Sequence, residues 1–362
     1  MLKAGIVGLP NVGKSSLFNA LTKASALSAN YPFATIEPNV GQVIVPDERL
    51  DKLASVYLPK KTTYAAYQFI DIAGLVKGAA KGEGLGNKFL SHIREVDAIV
   101  EVVRCFKDSN VLHVENSVDP VRDAQIIDTE LALADLEVVE SRIAKIEKKA
   151  RAQKDKEAQQ ELTVLTKIKT AILNETQPEL LDDERFLVKS LNLLTLKPLI
   201  YIANIADDSA DKISLANLTN IQAYAAKRNA KVLAVCIKLE EEVANMSKAE
   251  RVEYLEQFGF DKTGLDQIIE TTYTILALST YFTAGSDECR AWTFKTGAKA
   301  PDCAGIIHTD FKRGFIKAEV VAFADFVKFG SIQAAKENGV LRLEGKEYEV
   351  KDGDIITFRF NV

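Results

Sequence analysis

Gly8-Leu9-Pro10-Asn11-Val12-Gly13-Lys14-Ser15 follows directly on the apolar run Ala4-Gly5-Ile6-Val7 and precedes the helix-like stretch Ser16-Leu17-Phe18-Asn19-Ala20-Leu21. In a strand–turn–helix setting these glycines let backbone N–H groups face a β-phosphate, Lys14 reaches the β- and γ-phosphate oxygens, and the Ser15 hydroxyl ligates Mg2+. Asn11, Val12, Gly13, Lys14, Ser15 and Ser16 are therefore the expected nucleotide-binding residues of a P-loop. A glycine-rich turn without a ligand is the alternative, and the flanking strand and helix count against it.

Outward from the P-loop, β-branched runs alternate with helical patterns: Lys3 to Val7, Gln42 to Val45, Gln68 to Asp71, Ala98 to Val103, Leu199 to Ala203 and Lys231 to Val235. Such alternation predicts an α/β doubly wound, mostly parallel sheet with its ligand at the carboxyl ends of the strands. Between the fourth and fifth runs, Ala132, Leu136, Val139, Ile143, Ile146 and Ala150 recur at spacings of four and three, which is a coiled-coil seam. A polar break at Gln153-Lys154-Asp155 and a second stretch through Leu162, Leu165, Ile168 and Ile172 predict an antiparallel helical hairpin, ended by Pro178. Trp292 to Phe294, Phe315 to Val321, Leu341 to Val350 and Ile355 to Phe360 read as strands of a separate β-rich domain. The expected organisation is 1–127 and 197–280 for the two parts of a nucleotide-binding domain, 128–196 for the helical insertion and 281–362 for the last domain.

The 362 residues exceed a single ordinary core, and 47% hydrophobic content is enough to bury two or three. A net charge of −5 argues against indiscriminate coating of nucleic acid but permits a local basic patch. Cys105, Cys236, Cys289 and Cys303 have no paired spacing, so neither a zinc site nor a disulfide framework is indicated. No charged leader and no membrane-length apolar stretch is read in the sequence, so a cytoplasmic protein with no membrane partner is expected. It is expected to be a monomer.

Phe69-Ile70-Asp71-Ile72-Ala73-Gly74 is an apolar strand ending in an acid and a glycine. In GTPase-like enzymes such an Asp holds Mg2+ and the Gly N–H meets the γ-phosphate. Thr35, in the Pro-bounded loop Tyr31-Pro-Phe-Ala-Thr35-Ile-Glu-Pro38, offers a hydroxyl to complete the metal shell. Asn204-Ile205-Ala206-Asp207 follows the strand Leu199 to Ala203 where a guanine reader has Asn-Lys-x-Asp. The Lys is replaced by Ile205, while Asp207 retains the carboxylate that accepts both guanine donors. Leu75 stands where a Ras-like enzyme keeps the Gln that orients water. His113, in the polar loop after the Ala98–Val103 run, is a candidate for positioning water or moving a proton, since histidine titrates near neutral pH. A loop histidine without a role remains the other reading. Lys14, Asp71, Gly74 and His113 form the expected catalytic set, with Ser15, Thr35 and Asp71 around the metal and Asn204, Ile205 and Asp207 at the base.

Asn30 to Asn39, Asp71 to Val76 and the glycine-rich Gly78 to Asn87 are similar to the switch regions of the Obg group. With the inserted hairpin and a last domain similar to a TGS (ubiquitin-like β-grasp) module, the whole chain resembles the YchF family of Obg-like ATPases. The resemblance implies a ribosome-associated NTPase that prefers ATP. A GTPase stays open because of Asp207, and a nucleotide-gated ribosome- or RNA-binding module with negligible turnover stays open because of Leu75. Asn11 matches the asparagine that cation-dependent relatives use for K+, with a simple turn residue as the equal alternative. Two surfaces are candidates for ribosome or RNA contact: the basic hairpin tip (Arg142, Lys145, Lys148, Lys149, Arg151, Lys154, Lys156) and the segment His308 to Lys317, which mixes aromatic and basic residues.

Overall fold

The computed structural model describes residues 2–29, 39–72, 85–152, 155–208, 210–258 and 261–361; Thr35, Gly74 and Leu75 lie outside the described residues. Its strands are β1 (Lys3–Val7), β2 (Val40–Ile44), β3 (Lys61–Thr63), β4 (Ala66–Asp71), β5 (Ala98–Arg104), β6 (Leu199–Asn204), β7 (Lys231–Val235), β8 (Leu278–Ala284), β9 (Glu288–Lys295), β10 (Phe315–Ala322), β11 (Arg342–Glu344) and β12 (Asp354–Phe360). The chain forms two compact units, one of Met1–Ala24, Ala34–Gly41 and Gln68–Leu265, the other of Ser25–Phe33, Gln42–Tyr67 and Asp266–Val362.

All six runs that read as strands of the nucleotide-binding domain join one sheet, in the order β2-β4-β1-β5-β6-β7. β1 pairs in parallel with β4 and β5, β5 with β6, and β6 with β7. Every residue of β5 is buried, as expected of a strand covered on both faces. The helix Pro120–Ala152 begins on this sheet, where Ala124 packs with Val103, Tyr201 and Ile221. It then runs on without interruption into the hairpin, where Val139 and Ile146 meet Val164, Leu165 and Ile168 of the helix Lys156–Leu173. The hairpin thus grows out of a sheet-covering helix, with no break at the expected boundary of 127/128. Asp155 starts the second helix by accepting the Glu157 and Ala158 N–H groups at 3.1 and 3.2 Å. That helix stops at Leu173, five residues before Pro178, because Glu175 turns left-handed at φ 55° and Thr176 N–H reaches back to Ala171 O at 2.9 Å. A further helix, Asp182–Val188, adds Val188 to the hairpin core. Buried Asp135 fastens the returning chain, accepting the Leu194 N–H (3.0 Å), the Thr195 N–H (2.8 Å) and the Thr195 hydroxyl (2.8 Å). No described helix is long and apolar enough to cross a membrane.

The second unit has a sheet of order β11-β10-β12-β8-β9-β3. β8 and β9 form an antiparallel hairpin, β12 lies parallel to β8, and β10 is antiparallel to β12 and β11. Two central parallel strands flanked by antiparallel partners, with the helix Ala300–Ile307 packed against the sheet, make the β-grasp arrangement. Two features depart from the sequence reading. The stretch Leu341 to Val350 is strand only over β11, Glu349 adding a single bridge to Lys299. β3 comes from the stretch read as nucleotide-binding domain and pairs in parallel with β9, a contact across more than two hundred residues that no local pattern announces. Phe315 is buried with Tyr281, Phe294 and Phe358, and Phe311 packs against this core, so both aromatics of the His308–Lys317 segment serve packing.

One core residue of the first unit stands apart chemically. Glu101 on β5 is fully buried, and neither carboxyl oxygen has a hydrogen-bond partner among the described residues. Burial, reinforced by Asp128, pushes its pKa well above the ordinary glutamate value. The native state therefore keeps a proton that the unfolded chain gives up, so this residue costs stability as pH rises above the ordinary glutamate value toward its native pKa. Glu101→Gln, which keeps the neutral shape, is expected to raise the thermal midpoint by a few degrees more at pH 8 than at pH 5. An equal shift at both pH values in thermal melts would contradict this.

Candidate nucleotide site

The P-loop leaves β1 and enters the helix Lys14–Ala29, whose first residues line a cleft. Two backbone positions make the turn: Asn11 at φ 64° and Gly13 at φ 101°. A Cβ on Gly13 would lie 2.6 Å from the Asn204 amide nitrogen, so both conformation and space require glycine there. β4 runs beside β1 in parallel with Ile6 opposite Asp71, which delivers the Asp71 carboxylate to the start of that helix. The Lys14 ammonium pairs with Asp71 Oδ1, and the Ser15 hydroxyl donates to Asp71 Oδ2 at 3.0 Å. The Lys14 and Asp71 side chains are only 10% and 12% exposed, so the contact is poorly screened. Ser15 and Asp71 thereby offer two hard oxygens at one point, the donor chemistry that suits Mg2+.

A cavity of about 850 Å3 opens over this turn. Residues 9–16 form its floor, residues 106–111 one wall, and segments 204–207 and 236–241 its far end. The wall is shaped by a residue that sequence reasoning passed over. Arg104, at the end of β5 and 1% exposed, donates to three carbonyls of the following loop: Phe106 O (3.0 Å), Asp108 O (3.2 Å) and Val111 O (3.1 Å). Its guanidinium also lies over the Phe106 ring at 4.7 Å. An arginine closing a strand that is apolar but for Glu101 was the available signal.

At the far end, Asn204 is a brace. Its Nδ2 donates to Val12 O at 2.9 Å and its Oδ1 accepts the Ile237 N–H at 3.2 Å, tying the P-loop to the start of the helix Ile237–Val243. Both groups of the amide are thus engaged by the protein itself. Ile205 lines the cavity and packs in part against the core around Tyr201 and Ile221. Asp207 is held by Lys238 at 2.7 Å, and that hydrogen bond keeps its carboxyl below the ordinary aspartate value.

His113 does not line the cavity in this geometry. Its Nε2 meets Asp123 Oδ2 at 2.8 Å, and its Nδ1 accepts the Glu115 N–H at 3.1 Å, so the ring is buried and both nitrogens are used. The loop that carries it does reach the P-loop, because Asn11 Nδ2 donates to Leu112 O at 3.1 Å. That bond leaves Asn11 Oδ1 as the oxygen available to a cation. Among the basic hairpin residues, Arg142 is committed to Glu161 through two hydrogen bonds of 2.6 and 2.8 Å, whereas Lys145, Lys149 and Lys156 are exposed. Lys154 lies outside the described residues, and the side chains of Lys148 and Arg151 are likewise not described. His308 caps a short helix by accepting the Asp310 N–H at 3.2 Å.

Known proteins share this architecture. A family model described as 50S ribosome-binding GTPase matches residues 3–167, and the YchF-GTPase_C model, described as a protein of unknown function, matches residues 278–361. "Ribosome-binding ATPase YchF" of Bacillus subtilis is 56% identical over 100% of both chains. The protein of that name from Haemophilus influenzae is 51% identical over 99% of both. The solved structure of the Schizosaccharomyces pombe YchF GTPase superposes with a TM-score of 0.87 at 39% identity, covering 99% of this chain and 97% of that one. Full-length identity above half, together with a shared three-dimensional arrangement, places the chain in the YchF family.

Proposed function

We propose that this protein is a ribosome-binding P-loop NTPase that hydrolyses ATP, in preference to GTP, to ADP and phosphate. The observation that carries the hydrolase reading is the convergence of Lys14, Ser15 and Asp71 at a helix N-terminus beneath a nucleotide-sized cavity. To hold a triphosphate and its metal, Lys14 turns to the β/γ oxygens and Asp71, commonly through water, to the ion. Bound Mg2+ supplies charge neutralisation on the transferring phosphoryl group, with Ser15, Thr35 and Asp71 as its proposed protein ligands. The Gly74 N–H is the proposed γ-phosphate contact. K+ at Asn11 Oδ1 would add charge near the β/γ bridge.

Water attack needs a positioning group in place of the Gln that Leu75 replaces. His113 fits that role once it leaves Asp123 and the Glu115 N–H, and the Asn11–Leu112 bond keeps its loop against the P-loop. The preference for ATP rests on the altered base segment, Ile205 above all, and on the ATPase named among the relatives. GTP remains the competing substrate because Asp207 is retained and the similar fission-yeast protein is named a GTPase. Ribosome association rests on the relatives' names, with the exposed hairpin lysines and the β-grasp unit as the proposed contacts. The protein is proposed to act as a cytoplasmic monomer.

Phosphate release measured with ATP and with GTP, with and without ribosomes, tests this reading. Turnover should favour ATP and rise with ribosomes. Lys14→Ala should lose on the order of a hundredfold or more while remaining folded, and His113→Ala should lower kcat by about ten- to a hundredfold with little change in nucleotide affinity. Normal turnover in a folded Lys14→Ala protein would contradict the site. If His113→Ala instead lowers the melting temperature and spares kcat, the histidine serves only its bond to Asp123.

Changing Lys145, Lys148, Lys149 and Arg151 together to Glu should weaken ribosome co-sedimentation and flatten its salt dependence, each lost phosphate contact removing about 0.7–0.9 from the log–log slope. Basal ATP turnover should persist, since these residues lie on the hairpin. Unaltered sedimentation across the salt series would move the contact to the β-grasp unit.

A further inference from the structure

Few atoms at the far end of the cavity are left to read a purine. The Asn204 amide is engaged by Val12 O and the Ile237 N–H, and Ile205 offers only hydrocarbon. The Asp207 carboxylate lines the same end, and its Oδ2 lies 2.7 Å from Lys238 Nζ. The same contact that holds the Asp207 carboxyl down raises the Lys238 ammonium above its ordinary value, so both partners stay charged at neutral pH. Glu241 also lines the cavity, and Glu242 adds a weaker attraction on Lys238. Neither is paired with the ammonium as Asp207 is.

Guanine presents two adjacent donors, N1–H and the 2-amino group, to a carboxylate that receives one on each oxygen. With one acceptor site of Oδ2 taken by an ammonium, a guanine donor on that oxygen must share it with a third donor that bears positive charge. Adenine has no 2-amino group, and its N1 is an acceptor. It asks for no second carboxylate oxygen, and an ammonium beside its N1 is a partner rather than a competitor. We infer that Lys238 is a specificity-determining residue of the base site, disfavouring guanine by occupying the Asp207 carboxylate. The inference deepens the ATP-over-GTP reading proposed above and rests on it.

The pair is 70% exposed at Lys238 and 49% at Asp207, so it contributes little to folding and is weakened by salt. Its removal should leave the fold intact, and its effect on base choice should be modest. In equilibrium titrations of the full chain with fluorescent ATP and GTP analogues and Mg2+, Lys238→Ala should tighten GTP binding by about two- to fivefold. ATP binding should change less, so the ATP:GTP affinity ratio falls. Lys238→Arg, which keeps a cation on the carboxylate, should retain the wild-type ratio. Rising salt should lower that ratio in the wild type and leave it flat in Lys238→Ala, because the ion pair is the screened element.

GTP affinity unchanged or weakened in Lys238→Ala would overturn the inference, as would an Arg variant that behaves like the Ala variant. Wild-type protein that itself prefers GTP would remove the ATP reading. Lys238 is judged separately, by the change in GTP affinity between variant and wild type.

Discussion

A single carboxylate organises the nucleotide end of the first unit. Asp71 is placed by the parallel register of β4 on β1 and meets both Lys14 and Ser15, the two side chains that a P-loop sends toward phosphate and metal. Because Lys14 and Asp71 are nearly withdrawn from solvent, their attraction is strong and neither can be left alone without penalty. In the proposed function a triphosphate with its Mg2+ would resolve that demand, since the phosphates would take Lys14 and the ion would take Asp71. Binding would then be an exchange of partners in which no buried charge is stranded, a demand met by a ligand that brings both a polyanion and a cation.

Around that pair several buried polar residues act as braces. Arg104 fixes the loop 106–111, and Asn204 fixes the P-loop to the helix Ile237–Val243. Asp135 fixes the returning end of the helical insertion. Each is a buried polar group whose bonds go mainly to backbone, the arrangement in which truncation costs most because several partners are left unsatisfied together. The hairpin is an extension of one sheet-covering helix, so its root is packed on the sheet.

The P-loop, the six strands of the first sheet and the hairpin seam were legible because each depends on neighbours within a few residues: a turn with defined glycines, period-two runs, a four–three apolar repeat. The less legible features are pairings across long separations. β3 finds β9 from the other end of the chain, and Lys238 reaches Asp207 from the next strand–helix junction. His113 reads as a polar loop residue until Asp123 on the following helix is seen to hold its ring. Asn204 reads as a base contact because the spacing matches one, whereas its amide meets Val12 O and the Ile237 N–H. Pro178 misplaces a helix end for a local reason, since the left-handed turn at Glu175 had already stopped the helix.

The most direct measurement of this account is the position of the Lys14 ammonium in a crystal structure of the protein with Mg2+ and a non-hydrolysable ATP analogue. The partner exchange predicts Lys14 Nζ on the β/γ phosphate oxygens and the Asp71 carboxylate turned to the metal or its water, with the Lys14–Asp71 contact broken. A bound triphosphate with Lys14 still paired to Asp71 would contradict it.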